Sequence, residues 1–240
     1  MADDQICADT LIVSDIHAGW RFSRSVACVQ LIRRFHGRRL VVLGDALHHP
    51  KRRHLDQKIQ TLLGAISDAP RSGIETIFVC GNHDPSADHI SSLLPGVNVC
   101  HEYSWQSGPT RCYARHGHQF NQHNRAWVIG DILQEIPDYA HHFIQRLEGR
   151  RHRLSRFIRR LVEKLLGLND ALIKGMASHL AKNRIKTDAA FFGHTHMAEA
   201  RTVNGIKFCN PGCWVGYDDG MISYILIDGQ GEIAIKKFFP

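Results

Sequence analysis

No apolar run in this sequence reaches the ~20 residues that a membrane-spanning helix needs. The stretch Met1-Ala2-Asp3-Asp4-Gln5 has no basic flank and no apolar core behind it, so no signal peptide is expected there. No C-x-x-C pair occurs among the seven cysteines, Cys7, Cys28, Cys80, Cys100, Cys112, Cys209 and Cys213. Odd in number and scattered, with several in apolar runs, they argue against a disulfide framework and fit reduced thiols in a cytosolic protein. No internal repeat and no low-complexity segment is present. These absences leave a globular protein, soluble or peripheral to a membrane.

Two things are present in excess. The 240 residues include 17 histidines, and the formal net charge is +7. Imidazole is a common metal ligand and titrates near neutral pH, so the first excess points to metal or acid–base chemistry. The second points to an anionic partner. With 43% hydrophobic and 22% charged residues, the chain can build one sizeable α/β domain, or such a domain with an insertion.

The first half alternates strand and helix patterns. Thr10–Val13, Leu40–Leu43 and Thr76–Cys80 are short apolar runs of the kind that form parallel strands buried on both faces. Between them, helices are expected over about 23–35, with Val26, Val29, Leu31 and Ile32 on an apolar face, and over about 55–67. Further strands are expected over 97–101, 110–115 and 189–192. Hairpins follow at Asn204-Gly205 and around Gly229-Gln230-Gly231.

The chemistry-bearing residues share one position, just after an apolar strand. Asp15 and His17 follow the first, Asp45 the second, and Gly81-Asn82-His83-Asp84 the third; His116 and then His194 with His196 follow later ones. Gly, Asn and Asp are also ordinary turn residues. Strands of one sheet bring their ends together, however, so five distant segments can meet at one site, where open α/β sheets place ligands. Carboxylates, imidazoles and one amide oxygen suit a pair of divalent ions, with Asp45 the candidate bridge. Such pairs sit ~3.5–4 Å apart and activate water for attack on phosphorus.

These blocks resemble the ordered signature of the calcineurin-like metallophosphoesterases: Asp-x-His, Gly-Asp, Gly-Asn-His-Asp/Glu, a lone His, then Gly-His-x-His. The resemblance implies a two-sheet sandwich flanked by helices and hydrolysis of a phosphoester or pyrophosphate bond. It implies that Asp15, His17, Asp45 and His196 hold one ion, and that Asp45, Asn82, His116 and His194 hold the other. Mn²⁺ is the expected metal, and Fe or Zn fit the same donors. His83 would protonate the leaving oxygen and Asp84 would orient it. His118, which could stand in for His116, is expected to support the ligands from behind. So is His48, which occupies the place of the family's usual acidic residue three after the bridging Asp.

Between His116 and His194 the spacing implies a helical insertion, about 122–185, within a single domain of 1–240. Its centre is sharply amphipathic. Leu154, Phe157, Ile158, Leu161, Val162, Leu165 and Leu166 share one face; Arg150, Arg151, Arg153, Arg156, Arg159, Arg160 and Lys164 share the other, against the single acid Glu163. Packing on the domain, an anionic membrane surface and nucleic acid are the three readings. The last is the weakest, for want of interleaved aromatics. A helical lid at this place is similar to the UDP-2,3-diacylglucosamine diphosphatases, peripheral inner-membrane enzymes of lipid A synthesis. That similarity implies a nucleotide-lipid pyrophosphate substrate and a lid bearing Arg156, Arg159 and Arg160. The chain differs from that group at His83, His118 and His48, where Arg, Asp and Glu are usual. The alternatives are a phosphomonoesterase or phosphodiesterase acting on a soluble nucleotide or nucleic acid, and a binding scaffold without activity.

Overall fold

The computed structural model describes residues 5–48, 56–120, 167–215 and 222–238. The chain divides into two compact units, residues 1–118 with 185–240, and residues 119–184.

In the first unit β1 (Ile6–Val13), α1 (Ser25–Arg34), β2 (Phe35–Leu43), α2 (Gln57–Arg71), β3 (Glu75–Val79), α3 (Ala87–Leu93) and β4 (Asn98–Cys100) follow one another. Then come β5 (Glu102–Ser107) and β6 (Thr110–Arg115). In the second unit the described helix is α4 (Leu168–Lys182). The first unit resumes with β7 (Ala189–Phe191), β8 (Glu199–Val203), β9 (Ile206–Asn210), β10 (Ile222–Ile227) and β11 (Ile233–Phe238).

Six strands form one sheet in the order β11-β10-β1-β2-β3-β4, and five form a second in the order β5-β6-β7-β9-β8. The run β1 to β4 is parallel, as strand–helix alternation requires. Strand periodicity explains why its central strands are apolar throughout. Leu11, Val13, Leu40, Val42 and Phe78 lie in the core shared with α1 and α2. Their neighbours Ile12, Val41, Leu43, Ile77 and Val79 face the other way, into a core shared with Trp105, Cys112, Ala114, Ala189, Phe191 and Cys209 of the second sheet. Both faces are covered, so no polar side is possible.

Some boundaries differ from the sequence pattern. Val26 is 53% exposed, and α1 instead buries Ala27, Cys28, Val29, Leu31 and Ile32. Phe35 ends the helix and begins β2, pairing with Ile6; the polar stretch His36–Arg39 becomes strand because β1 lies beside it. β5 and α3 are additional. No helix among the described residues is long and apolar enough to cross a membrane.

In the second unit, α4 occupies the end of the expected helical insertion, and the Phe120 ring lies 5.6 Å from that of His179. The amphipathic centre, with Arg156, Arg159 and Arg160, lies outside the described residues.

Candidate metal centre

The candidate residues stand on five loops, after β1, β2, β3, β6 and β7. Seven non-glycine residues among those described have positive φ, and five of them are Asp15 (54°), His17 (49°), Asp45 (51°), His194 (69°) and His196 (61°). Each such residue costs on the order of 1–3 kcal/mol and persists only where its surroundings force it. Backbone bonds supply that force. Asp15 N donates to Gly44 O (3.0 Å), His17 N to Asp45 O (2.9 Å) and Trp214 N to Asp15 O (3.0 Å), so the first two loops continue side by side beyond their strands. Gly193 N donates to His116 O at 3.0 Å, tying the other two.

Two glycines are dictated by close approach. A Cβ on Gly81 would lie 2.1 Å from Asp45 Oδ1, and one on Gly193 would lie 2.1 Å from Ser14 Oγ. A sequence reading takes both as turn residues; here their lack of a side chain is what lets the carboxylates enter.

The structure brings together six of the seven expected ligands in two groups, Asp15, His17 and His196, and Asp45, His116 and His194. Donor atoms within each group lie within 4.8 Å of one another. Asn82, the seventh, is exposed on the loop after β3. His118 lies outside the groups, its ring 5.5 Å from that of His116 and 6.2 Å from that of His194. Burial and then the charge of His116 lower its pKa to about 4.

The contacts inside the groups place like against like. His116 Nδ1 faces Leu43 O at 2.9 Å and must donate to it, which leaves Nε2 a lone pair. That lone pair is 3.2 Å from Asp45 Oδ2, another acceptor. His17 Nε2 and His196 Nε2 meet at 3.1 Å, and His196 Nε2 is 3.3 Å from Asp15 Oδ1. Such pairs repel unless a proton or a cation lies between them, so the donor set fits divalent metal. In the metal-free protein protons take that part. Burial disfavours charged His116, but Asp45 outweighs it and raises its pKa to about 9. His196 rises to about 10, against burial, through Cys213 and Asp15. Burial, then His196, pushes His17 well down, and burial, then His116, does the same to His194. Burial would raise Asp45, but His116 holds it low.

Asp84 serves the backbone. Its carboxylate accepts from Asp45 N (2.8 Å), Gly81 N (2.9 Å) and Leu47 N (3.0 Å), clamping the β3 loop to the β2 loop. Burial and the nearby Asp45 raise its pKa to about 7. His83 N donates to Asp45 Oδ1 at 2.8 Å. His48 forms a third close group with His17 and His83.

Sequence reasoning missed three supports. The Ser14 hydroxyl lies between the Asp15 carboxylate and Leu43 O. Buried Asn210 donates to Thr195 Oγ1 (2.7 Å) and Gly193 O (3.2 Å), holding the Gly193–His196 loop. Trp20 stacks on His48. Asn210 was legible only as part of an Asn-Pro-Gly turn.

Residues 9–232 match the calcineurin-like phosphoesterase superfamily domain. No curated protein matches the chain in sequence. Among solved structures, a novel archaeal phosphodiesterase is similar at 13% identity, with 95% of this chain and 99% of that one covered and a TM-score of 0.52. Yfce, a phosphoesterase from E. coli, is similar at 17% identity, with 96% and 98% covered and a TM-score of 0.51. At these identities the likeness is one of fold: two sheets flanked by helices.

Proposed function

The chain belongs to the calcineurin-like phosphoesterase superfamily and is a metal-dependent phosphoester hydrolase; we propose that it uses two divalent ions to cleave a pyrophosphate bond in a nucleotide-lipid such as UDP-2,3-diacylglucosamine. The observation that carries the dinuclear chemistry is the pairing of two largely buried groups, Asp15/His17/His196 and Asp45/His116/His194, whose facing acceptors suit cations between them. In this reading Asp15, His17, Asp45 and His196 hold one ion, and Asp45, Asn82, His116 and His194 the other. When bound, the ions supply a nucleophilic water at neutral pH and neutralise phosphoryl charge.

The chain's own residues do the rest. His83 donates a proton to the leaving oxygen. Asp84 fixes the loop that carries His83 by taking three backbone N–H groups, so its contribution to that imidazole runs through the loop. Ser14 and Asn210 hold the Asp15 carboxylate and the Gly193–His196 loop in place. The lipid part of the reading is supported by the amphipathic, strongly basic sequence 150–166, which suits an anionic membrane and acyl chains.

The test is a hydrolysis screen with Mn²⁺, comparing UDP-2,3-diacylglucosamine with dinucleotides, simple phosphodiesters, phosphomonoesters and DNA. The expected result is a kcat/KM highest for the lipid nucleotide. Equal or faster turnover of a dinucleotide or of DNA overturns the lipid reading in favour of a phosphodiesterase of soluble substrates.

A further inference from the structure

His48 stands where the family pattern has a carboxylate, and the structure gives it a contact that no carboxylate could make. Its ring lies near-parallel to two others: Trp20, with centroids 5.3 Å apart and planes 14° apart, and His83, at 5.7 Å and 18°. His17 stands edge-on to all three, at 5.9 Å and 75° to Trp20, 5.7 Å and 67° to His48, and 5.1 Å and 74° to His83. The result is a bent column of three near-parallel rings with a fourth set across all of them, offset and tilted geometries that aromatic quadrupoles favour.

The column is built from fixed points. Trp20 comes from the β1 loop, where its N–H donates to His17 O (3.0 Å). His48 comes from the β2 loop, where its N–H donates to Ala18 O (2.9 Å). His83 comes from the β3 loop, which Asp84 ties to the β2 loop through Asp45 N and Leu47 N. Three loops locked to one another by backbone bonds thus each contribute one ring. With the His83 ring near-parallel to His48 and steeply inclined to His17, 5.7 and 5.1 Å away, rotation of that imidazole about its own axis is restricted. A proton donor is effective only in aligned geometry, and a misplacement of about 1 Å can cost on the order of 10²-fold.

We propose that His48 is a positioning residue: backed by Trp20, its ring sets the plane from which His83 delivers its proton to the leaving oxygen. This rests on the reading of His83 as the proton donor. The rival is a cation held by His17, His48 and His83, whose donor atoms also lie within 4.8 Å of one another.

Two substitutions separate these. His48→Phe keeps a ring and removes both nitrogens, whereas His48→Ala removes the ring. The expected outcome is a kcat lowered about 10–100-fold by His48→Ala with KM little changed. The loss should be greater for alkyl than for p-nitrophenyl leaving groups, and most activity should return in His48→Phe. Metal content should stay the same in both variants. In the zinc-loaded protein the ring C–H proton resonances of His83 should move on His48→Ala, through loss of the ring current, and stay near their place on His48→Phe. Trp20→Ala should give a smaller loss in the same direction. On a His83→Ala background, His48→Ala should cost nothing more. If His48→Phe is as damaging as His48→Ala and both lose an ion, the residue is a ligand and the proposal falls. It also falls if His48→Ala leaves kcat and the His83 resonances unchanged while His83→Ala is crippled. If His83→Ala itself spares poor leaving groups, the proton-donor reading fails, and that result is read without any change at His48.

Discussion

The sandwich carries buried charge at both ends, and the two ends are built in opposite ways. At the N-terminal ends of β1 to β3, Arg39 donates through Nε (3.0 Å) and Nη2 (2.7 Å) to Glu75, and its Nη1 lies 3.8 Å from Asp9. Tyr103 donates to Glu75 and Ser107 to Asp9, joining the second sheet to the first. Donor meets acceptor at each of these hydrogen bonds, and only Arg39 Nη1, near Asp9, is left without one. At the C-terminal ends, Asp45 faces neutral His116, and His196 faces Asp15 and His17, acceptor to acceptor; of these five residues all but His116 stand at positive φ. The first cluster is complete as a rivet between sheets; the second needs extra protons, or cations, between its acceptors.

That contrast can be broken most sharply at Asp45. Asp45→Ala should lower activity by at least about 10³-fold, beyond the 10–100-fold that supports behind a ligand are worth. Stability of the metal-free protein should fall as well, since protonated His116 and the His83 backbone N–H lose the carboxylate they bond to. Steady-state kinetics, metal analysis and a chelator-treated thermal melt check this. A variant that keeps both its ion content and its turnover would overturn the bridging role of Asp45.

His83→Ala comes next. Turnover should fall about 10²–10⁴-fold, the range of general acid–base catalysis, with metal content unchanged and esters of poor leaving groups hit hardest. Loss of an ion from the variant would move His83 from proton donor to ligand.

At the other end stability alone should respond. Arg39→Met should cost roughly 2 kcal/mol of stability, less than the 3–5 of a fully buried pair because Glu75 is 44% exposed. Activity per folded molecule should be kept. Denaturant unfolding beside kinetics decides it. Burial works to raise the pKa of Glu75, but hydrogen bonds from Tyr103 and Arg39 lower it. The stabilisation is therefore present above the ordinary Glu value of ~4.3 and lost as pH falls through the lower folded value. Arg39→Met should flatten that acid limb.

The smallest effect on catalysis is expected far from both ends. Arg156, Arg159 and Arg160 changed together to Glu should leave hydrolysis of a soluble phosphodiester intact and release the protein from anionic vesicles. Each basic side chain is worth ~1 kcal/mol at such a surface. Vesicle cosedimentation at rising salt measures it; wild-type protein that ignores anionic vesicles at low salt would remove the membrane reading.

Much of the histidine-rich end was legible beforehand. Leu40–Leu43 running into Gly44-Asp45 announces a buried strand with a ligand-type side chain at its tip, and the same pattern recurs before Asn82, His116 and His194. The Arg39 end was not legible. His36–Arg39 reads as polar loop, and only pairing with β1 makes it strand and turns Arg39 inward. Val26 failed as a core residue because helix phase is set by what the helix packs on, not by the list of its apolar residues. Asp84 was expected to orient His83, the side chain beside it, but its three hydrogen bonds come from backbone on two loops.

Residue type and chain order by themselves determined which atoms could hold cations and that they would gather at strand ends, because ligand chemistry belongs to the side chain and parallel strands share a direction. The tertiary structure alone decided which oxygen faces which nitrogen, that Asp84 clamps loops and that His48 lies near-parallel to Trp20 and His83. Those relations join residues as far apart as Asp15 and His194, and no local propensity reaches across that distance. They exist only once two sheets have packed and their loops have been tied to one another.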